Sequence, residues 1–327
     1  MAAGTLILTR RDVAGLLGLD ECIVAVEAAF RRRGEEEVAP AGILGMPAKG
    51  GGFHIKAAAL SPYFAVKVNG NFFQNRERFG MPNIQGIVLL CDAGNGYPLA
   101  VLDSIEITIR RTGAATAVAA KYLAREDSRV VTICGCGNQG RIQLAALARV
   151  RRLKRAYAFD TDSARAEEFA SDMSAQLGIR VEAVPEPGPA VRGSDIAVTC
   201  TPSRKPFLAP GDIAPGTFVA AIGADSADKQ ELDPRILAGG RVVVDSLDQC
   251  AEIGELHHAV EGGLMTRSDV HAELSDLAAG TKSGRACREE ITIFDSTGTA
   301  LQDAAAAAVV YEKAARGGKG AWIDLAD

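Results

Sequence analysis

The sequence predicts an α/β protein: a doubly wound parallel sheet together with a smaller α+β domain. Three observations carry that prediction. Continuous apolar runs recur at Val130–Cys134, Ala156–Phe159, Ile196–Cys200, Phe218–Gly223 and Arg241–Asp245, with helical patterns between the first of them. That is the signature of parallel strands covered on both faces. From about residue 38 to 105 the pattern changes to short alternating strands between glycine and proline turns, as in an antiparallel sheet. The length of 327 residues also suits two domains. The expected division is 1–115 with 300–327 for the smaller domain, and 116–299 for the parallel sheet.

Taken in order, residues 9–34 predict two helices. Thr9 is placed to cap the first, with Val13, Leu16 and Leu17 on its apolar side. Asp20 is placed to cap the second, with Ile23, Val24, Val26, Ala29 and Phe30 inward. Glu35-Glu36-Glu37 reads as a solvated connection. In the strand block, Phe53–Lys56 and Phe64–Val68 alternate, Gly86–Asp92 runs into the turn Asp92–Gly96, and Tyr97–Leu102 returns as its hairpin partner. His54 and Lys56 are two apart, so a strand points both to one face. They are either surface charges on a half-exposed sheet or functional groups. Lys67 is embedded in an apolar strand, where lysine is rare unless paired or functional. Arg110–Thr116 then opens a helix of small residues, which Thr112 is placed to cap. Its small side chains would admit the close approach of a phosphate or of another helix.

The most informative stretch runs from Arg129 to Asp160. The strand Val130–Cys134 leads into Gly135-Cys136-Gly137-Asn138-Gln139-Gly140, a full G-x-G-x-x-G. A helical pattern and a second strand follow, and the strand ends on Asp160, twenty residues past the last glycine. This is the strand–turn–helix–strand–acid unit of a Rossmann dinucleotide-binding domain. Gly135 permits the tight turn, Gly137 lets the backbone approach a pyrophosphate, and Gly140 allows close helix–strand packing. The helix N-terminus offers N–H donors and the positive end of its dipole. Asp160 would accept from the ribose hydroxyls and repel a 2′-phosphate, which favours NAD(H) over NADP(H).

Beyond it, the pattern predicts a helix over Ser163–Leu177, a strand over Arg180–Val184 and a short helix near Ala190. Cys200-Thr201-Pro202 and Gly223-Ala224-Asp225 fall at strand C-terminal ends, where such sheets bind ligands, and are expected to face the nicotinamide and substrate. Residues 250–290 read as helices and loops. They hold His257, His258 and His271 without a recognisable ligand set, so no metal is assigned. The strand Ile291–Asp295 turns at Ser296–Gly298 into an alanine-rich helix, Leu301–Ala315, expected to pack on the first domain.

A net charge of −5 carries no polyelectrolyte signature for nucleic acid or anionic membrane. Seven scattered cysteines without a C-x-x-C fit free thiols in a reducing compartment. No apolar run reaches the ~20 residues of a membrane span, and MAAGTLILTRRD is short of a signal peptide. A cytoplasmic protein without nucleic-acid or membrane partners is therefore expected.

Several features recur here as an ordered set. They are Lys67 in its strand, Gly94-x-Gly96-Tyr97-Pro98, Arg111-Thr112-x-Ala114-Ala115, the glycine fingerprint, Gly223-Ala224-Asp225 followed by Lys229 and Glu231-Leu232, and Thr292-x-Phe294-Asp295-Ser296. With them the chain resembles the ornithine cyclodeaminase/μ-crystallin family over about residues 10–325. The resemblance implies a homodimer of two-domain subunits, with a Rossmann domain and a substrate and dimerisation domain. It also implies NAD(P)-dependent chemistry at an amino-acid Cα. By position, Lys67 and Arg111 would hold the substrate carboxylate, Lys67 would also polarise the reacting group, and Asp225 would be the acid/base. Asn83, Asn138, Gln139, Asp160, Thr201, Lys229 and Ser296 would touch the cofactor, with Thr112, Thr161, Cys200 and Gly223 beside them. Thr297 would touch substrate, and His54 and Lys56 would shape its pocket.

Two departures bear on the activity. The cyclodeaminases have a glutamate thirteen residues before the strand lysine, where this chain has His54. They also use an arginine near what is here 41–45, AGILG. No arginine stands there, and Lys56 is the expected source of that cation. The leading expectation is thus an NAD-dependent amino-acid dehydrogenase, such as an alanine dehydrogenase, or an imino-acid reductase. A cyclodeaminase with internally recycled NAD and a non-catalytic dinucleotide-binding protein are the alternatives.

Overall fold

In the computed structural model residues 4–35 and 41–325 are described; Glu36 and Glu37 of the acidic run lie outside them. The chain divides into two compact units, Met1–Arg111 with Thr299–Asp327, and Thr112–Gly298.

The first unit is built on a seven-stranded sheet. Its strands are β1 (Thr5–Leu8), β2 (Gly42–Ala48), β3 (Gly51–Leu60), β4 (Tyr63–Asn71), β5 (Ile84–Asp92), β6 (Pro98–Asp103) and β17 (Ala321–Ile323), in the order β17-β1-β6-β5-β4-β3-β2. All neighbours are antiparallel except β1 and β6. Helix α1 (Arg10–Leu16) starts at Thr9, which forms a reciprocal capping box with Asp12. Helix α2 (Leu19–Glu35) starts two residues earlier than a cap at Asp20 would place it. Asp20 therefore lies in its first turn, and the Glu21 carboxylate accepts the Gly18 N–H at 3.2 Å. Its buried stripe is Cys22, Ile23, Val26, Ala29 and Phe30. Val24 is 65% exposed rather than inward, because one residue past Ile23 is a turn of about 100° around the helix. Helix α12 (Ala300–Gly317) packs against α2, β3 and β4, and α3 (Asn75–Phe79) sits in the β4–β5 connection.

The expected helix of small residues begins earlier than its sequence suggested. Helix α4 runs over Ser104–Leu123, and the Asp103 carboxylate accepts the N–H groups of Ile105 and Glu106 at 3.0 and 3.2 Å. Thr112 is thus mid-helix and not a cap, and no helix N-terminus is available there for a phosphate. The small residues serve packing instead. A Cβ on Gly113 would lie 2.9 Å from the Ile142 side chain.

The second unit has an eight-stranded, wholly parallel sheet. Its strands are β7 (Val130–Cys134), β8 (Arg155–Phe159), β9 (Arg180–Ala183), β10 (Ile196–Thr199), β12 (Phe218–Ala221), β14 (Arg241–Val244), β15 (Ala272–Glu273) and β16 (Thr292–Asp295), ordered β15-β14-β16-β12-β10-β7-β8-β9. The order reverses between β7 and β10, the switch point at which open α/β sheets bind ligands. Helices α5 (Asn138–Val150), α6 (Ser163–Leu177), α7 (Pro187–Arg192), α8 (Pro234–Ala238), α9 (Leu247–Ile253), α10 (Glu255–Glu261) and α11 (Leu274–Ala279) make the connections. A separate pair, β11 (Arg204–Leu208) with β13 (Gln230–Leu232), stands beside the main sheet. No described helix is long and apolar enough to cross a membrane.

Candidate active site

The glycine turn has the geometry its sequence requires. Gly135 adopts φ +107°, and a Cβ there would meet the Cys200 carbonyl at 2.8 Å. At Gly140 a Cβ would lie 2.1 Å from the Gly135 carbonyl oxygen. At Gly137 it would meet nothing within 4 Å, so this backbone is open to a ligand. Helix α5 begins there without any side-chain cap, leaving its first N–H groups to an incoming anion. Asn138 is exposed and Gln139 half-buried at that end; Gln139 Oε1 has no hydrogen-bond partner among the described residues. Asp160 ends β8, and its carboxylate accepts the Cys136 N–H at 2.9 Å and the Asp162 N–H at 3.1 Å. It is thereby fixed beside the turn, with exposed Thr161 following it. An Arg165 nitrogen lies 4.0 Å from Asp160. These features fit the pyrophosphate and ribose of a dinucleotide.

The loops after β10 and β12 are organised by a residue not singled out for any role from sequence. Glu231, fully buried on β13, accepts from the Thr201 N–H at 2.6 Å, the Thr201 hydroxyl at 2.7 Å and the Gly223 N–H at 2.9 Å. Next to Thr201, the Cys200 thiol points back to the Cys134 and Gly135 carbonyls, and burial raises its pKa well above the usual thiol value. Asp225 is exposed and ion-paired with Lys229. The Lys229 carbonyl in turn accepts from His258 at 2.8 Å. His257, His258 and Glu261 bring ligand atoms within 4.8 Å of one another, a grouping that the sequence reading did not anticipate.

Ser296 and Thr297 are buried, and both turn to Asp245. The Ser296 hydroxyl donates to its carboxylate at 2.8 Å, as does the Gly298 N–H at 2.7 Å. The Thr297 hydroxyl is bonded to Asp245 at 3.4 Å and to Gln249 at 3.3 Å. Asp245 therefore shapes the loop after β16, as Glu231 shapes the loops after β10 and β12.

In the first unit, the β3–β4 register sets Lys56 directly opposite Lys67 and His54 opposite Asn69. Lys67 and Lys56 are buried and His54 is half-buried. Lys67 Nζ is 2.7 Å from Asp303 Oδ2, and Arg111 Nε is 2.9 Å from Asp303 Oδ1. Arg111 Nη1 also donates to Gln302 Oε1 at 2.8 Å. Burial pulls the Lys67 ammonium down to about 7, opposed by Asp303 and reinforced by the charges of Arg111 and Lys56. Burial pushes the Asp303 carboxyl up, but Lys67, Arg111 and Lys56 outweigh it and hold its pKa below the ordinary value. Asp303 was missed from sequence, although it is the one charged residue in the run Leu301–Tyr311 of α12. Asn83 accepts the Arg76 N–H through Oδ1 at 3.0 Å and the Phe72 N–H through its carbonyl at 2.8 Å, which ties the loop containing α3 to the start of β5.

The chain is 41% identical to an alanine dehydrogenase of Archaeoglobus fulgidus over 312 residues, 95% of each protein. Among solved structures, an archaeal alanine dehydrogenase dimer with bound NAD superposes with TM-score 0.93 at 39% identity, over 98% of this chain and 99% of that one. The Thermococcus litoralis Δ1-pyrroline-2-carboxylate reductase, in complex with NADH and L-proline, gives TM-score 0.93 at 35% identity, over 98% and 100%. With the family model matching residues 3–318, the chain belongs to the ornithine cyclodeaminase/mu-crystallin family.

Proposed function

We propose that the protein is an NAD(H)-dependent oxidoreductase that reduces the C=N bond of a small imino acid, preformed or made from a keto acid and ammonia, or runs the reverse reaction. The observation that carries this reading is the Lys67 cluster, in which a buried ammonium and a buried guanidinium share one carboxylate. Arg111 and Lys67 would bind the substrate carboxylate, for which a guanidinium fork is suited. Lys67, poised near neutrality, can also hold a proton at the reacting nitrogen or oxygen. NADH, when bound at the glycine turn, supplies the hydride. Asp225 is assigned the proton that moves to or from nitrogen, and Lys229 holds its carboxylate. Identity to an alanine dehydrogenase and likeness to a pyrroline-2-carboxylate reductase support the reaction class.

Preference for NAD(H) over NADP(H) belongs to the same reading and rests on the Asp160 carboxylate. A homodimer does too. It is supported by the dimeric archaeal neighbour and by the fully exposed β2, whose Ile43, Leu44 and Met46 are open to solvent. Sedimentation velocity would return a dimer mass; a monomer at micromolar concentration would oppose it. A cytoplasmic setting accords with seven unpaired cysteines, and cell fractionation checks it.

The test of the activity follows NADH absorbance with pyruvate plus ammonia, pyruvate plus methylamine, oxaloacetate plus ammonia, and pyrroline-2-carboxylate. NADH consumption with at least one of them is expected. Proline formed from L-ornithine without net change in NADH would instead make the protein a cyclodeaminase, with His54 in the glutamate's place.

A further inference from the structure

Three buried acids lie in sequence behind the β10 and β12 loops. Glu231 binds the loops themselves, through Thr201 and Gly223. Glu255 binds the strand that carries Glu231, accepting the Glu231 N–H at 2.6 Å and the Leu232 N–H at 3.2 Å. Asp295, at the end of β16, accepts the Leu256 N–H at 2.9 Å. All three are at most 1% exposed. Burial is the leading cause raising their pKa values: Asp295 to about 7, Glu255 well above the usual carboxylate range, and Glu231 above its ordinary value. Burying three carboxyl groups in this way is costly where apolar side chains would pack. The partners explain the choice. Each is mainly a backbone N–H whose position is thereby fixed.

The contact at Gly223 is close. A Cβ there would stand 2.5 Å from the Glu231 carboxylate and 2.4 Å from the Thr201 carbonyl oxygen. One side chain thus sets the spacing between two strand ends.

We propose that Glu231 is a positioning residue, which locks the Thr201 and Gly223 loops into the seat for the nicotinamide half of the dinucleotide and leaves the adenine half unaffected. The proposal rests on the reading that these loops face the nicotinamide, whereas Asp160 and the glycine turn take the adenosine and pyrophosphate.

The test compares two probes. ADP-ribose carries the adenosine and pyrophosphate but no nicotinamide; NADH carries both. In Glu231→Gln, isosteric with the wild type, an amide NH2 replaces one acceptor oxygen and faces an N–H or O–H donor. Loss of a charge-assisted bond predicts NADH affinity and kcat lower by about tenfold or more, with ADP-ribose affinity within about twofold and the melting temperature recorded alongside. Parallel loss for the two probes, or no change in either probe or in kcat, would overturn the proposal. Glu255→Gln, one step removed, should give the same pattern at smaller size. It decides the matter if the Glu231 variant does not fold, and parallel losses there would count equally against the proposal. A wild-type protein that turns over no imino acid would sink the activity assigned above, but the contrast between NADH and ADP-ribose would still be decisive for Glu231.

Discussion

The glycine turn of one unit and the Lys67 cluster of the other are each proposed to bind an anion, by opposite means. The turn uses no charged side chain for the purpose. It exposes backbone N–H groups at the start of α5, and its selectivity for residues is steric: Gly140 is closed in and Gly137 is open. The cluster depends on side-chain charge. Its cations are buried, held by a carboxylate on a helix distant in sequence, and one of them is shifted to about 7. A site made of backbone should be indifferent to pH near neutrality and sensitive to a methyl group. A site made of buried cations should show the reverse.

The largest effect is expected outside both sites. Asp225→Asn should lower kcat by about 10²–10⁴-fold, the usual worth of general acid–base catalysis, with NADH affinity within a few-fold. Unchanged turnover would remove Asp225 from the mechanism and leave proton transfer to the Lys67 cluster.

Methyl groups probe the glycine turn. Gly140→Ala places a Cβ 2.1 Å from a carbonyl oxygen and should leave little folded protein by circular dichroism. Gly137→Ala, with open space around its Cβ, should keep its melting temperature but bind NADH about tenfold more weakly, from obstruction of the phosphates. Equal NADH affinity would place the pyrophosphate elsewhere.

The corresponding probe of the cluster is pH. Its folded-state pKa near 7 lies below that of a free lysine, so Lys67 is protonated below about 7 and progressively neutral above it. The attraction for a substrate carboxylate is therefore present at low pH and lost as pH rises through 7. KM for the imino or keto acid should climb by up to about tenfold per unit above that point, and Lys67→Met should remove the Lys67 inflection. A KM flat from pH 6 to 9 in wild type would separate Lys67 from carboxylate binding.

The smallest effect concerns the ribose. Asp160→Ala should shift the ratio of kcat/KM for NADH over NADPH towards NADPH by several-fold, damped because Arg165 already lies 4.0 Å from the carboxylate. If the wild type prefers NADPH, the role given to Asp160 is wrong.

What could be read from sequence follows the same division. The nucleotide unit is contiguous, so one stretch of chain from Arg129 to Asp160 displays strand, turn, helix and acid in order. Lys67 was legible as an exception to its surroundings, Arg111 by resemblance alone. Asp303, their common partner, comes from α12, and no local pattern joins it to them. Glu231 was visible only as part of a motif; its bonds to Thr201 and Gly223 depend on how β13 is placed. Strands β1, β2 and β17 escaped notice for a related reason. β1 and β17 are very short, and β2 has both faces exposed and includes glycine and proline, so alternation is lost. The start of α4 was misjudged because Asp103, its N-terminal acceptor, ends the preceding strand.

The most direct measurement follows the hydride itself. NADH deuterated at nicotinamide C4 on the transferable side is given to the protein with the imino or keto acid that it consumes, and the amino-acid product is examined by mass spectrometry and proton NMR. One deuterium at Cα per turnover is the predicted result. A product free of deuterium, with the label left in the dinucleotide, would contradict net reduction at Cα and with it the function proposed here.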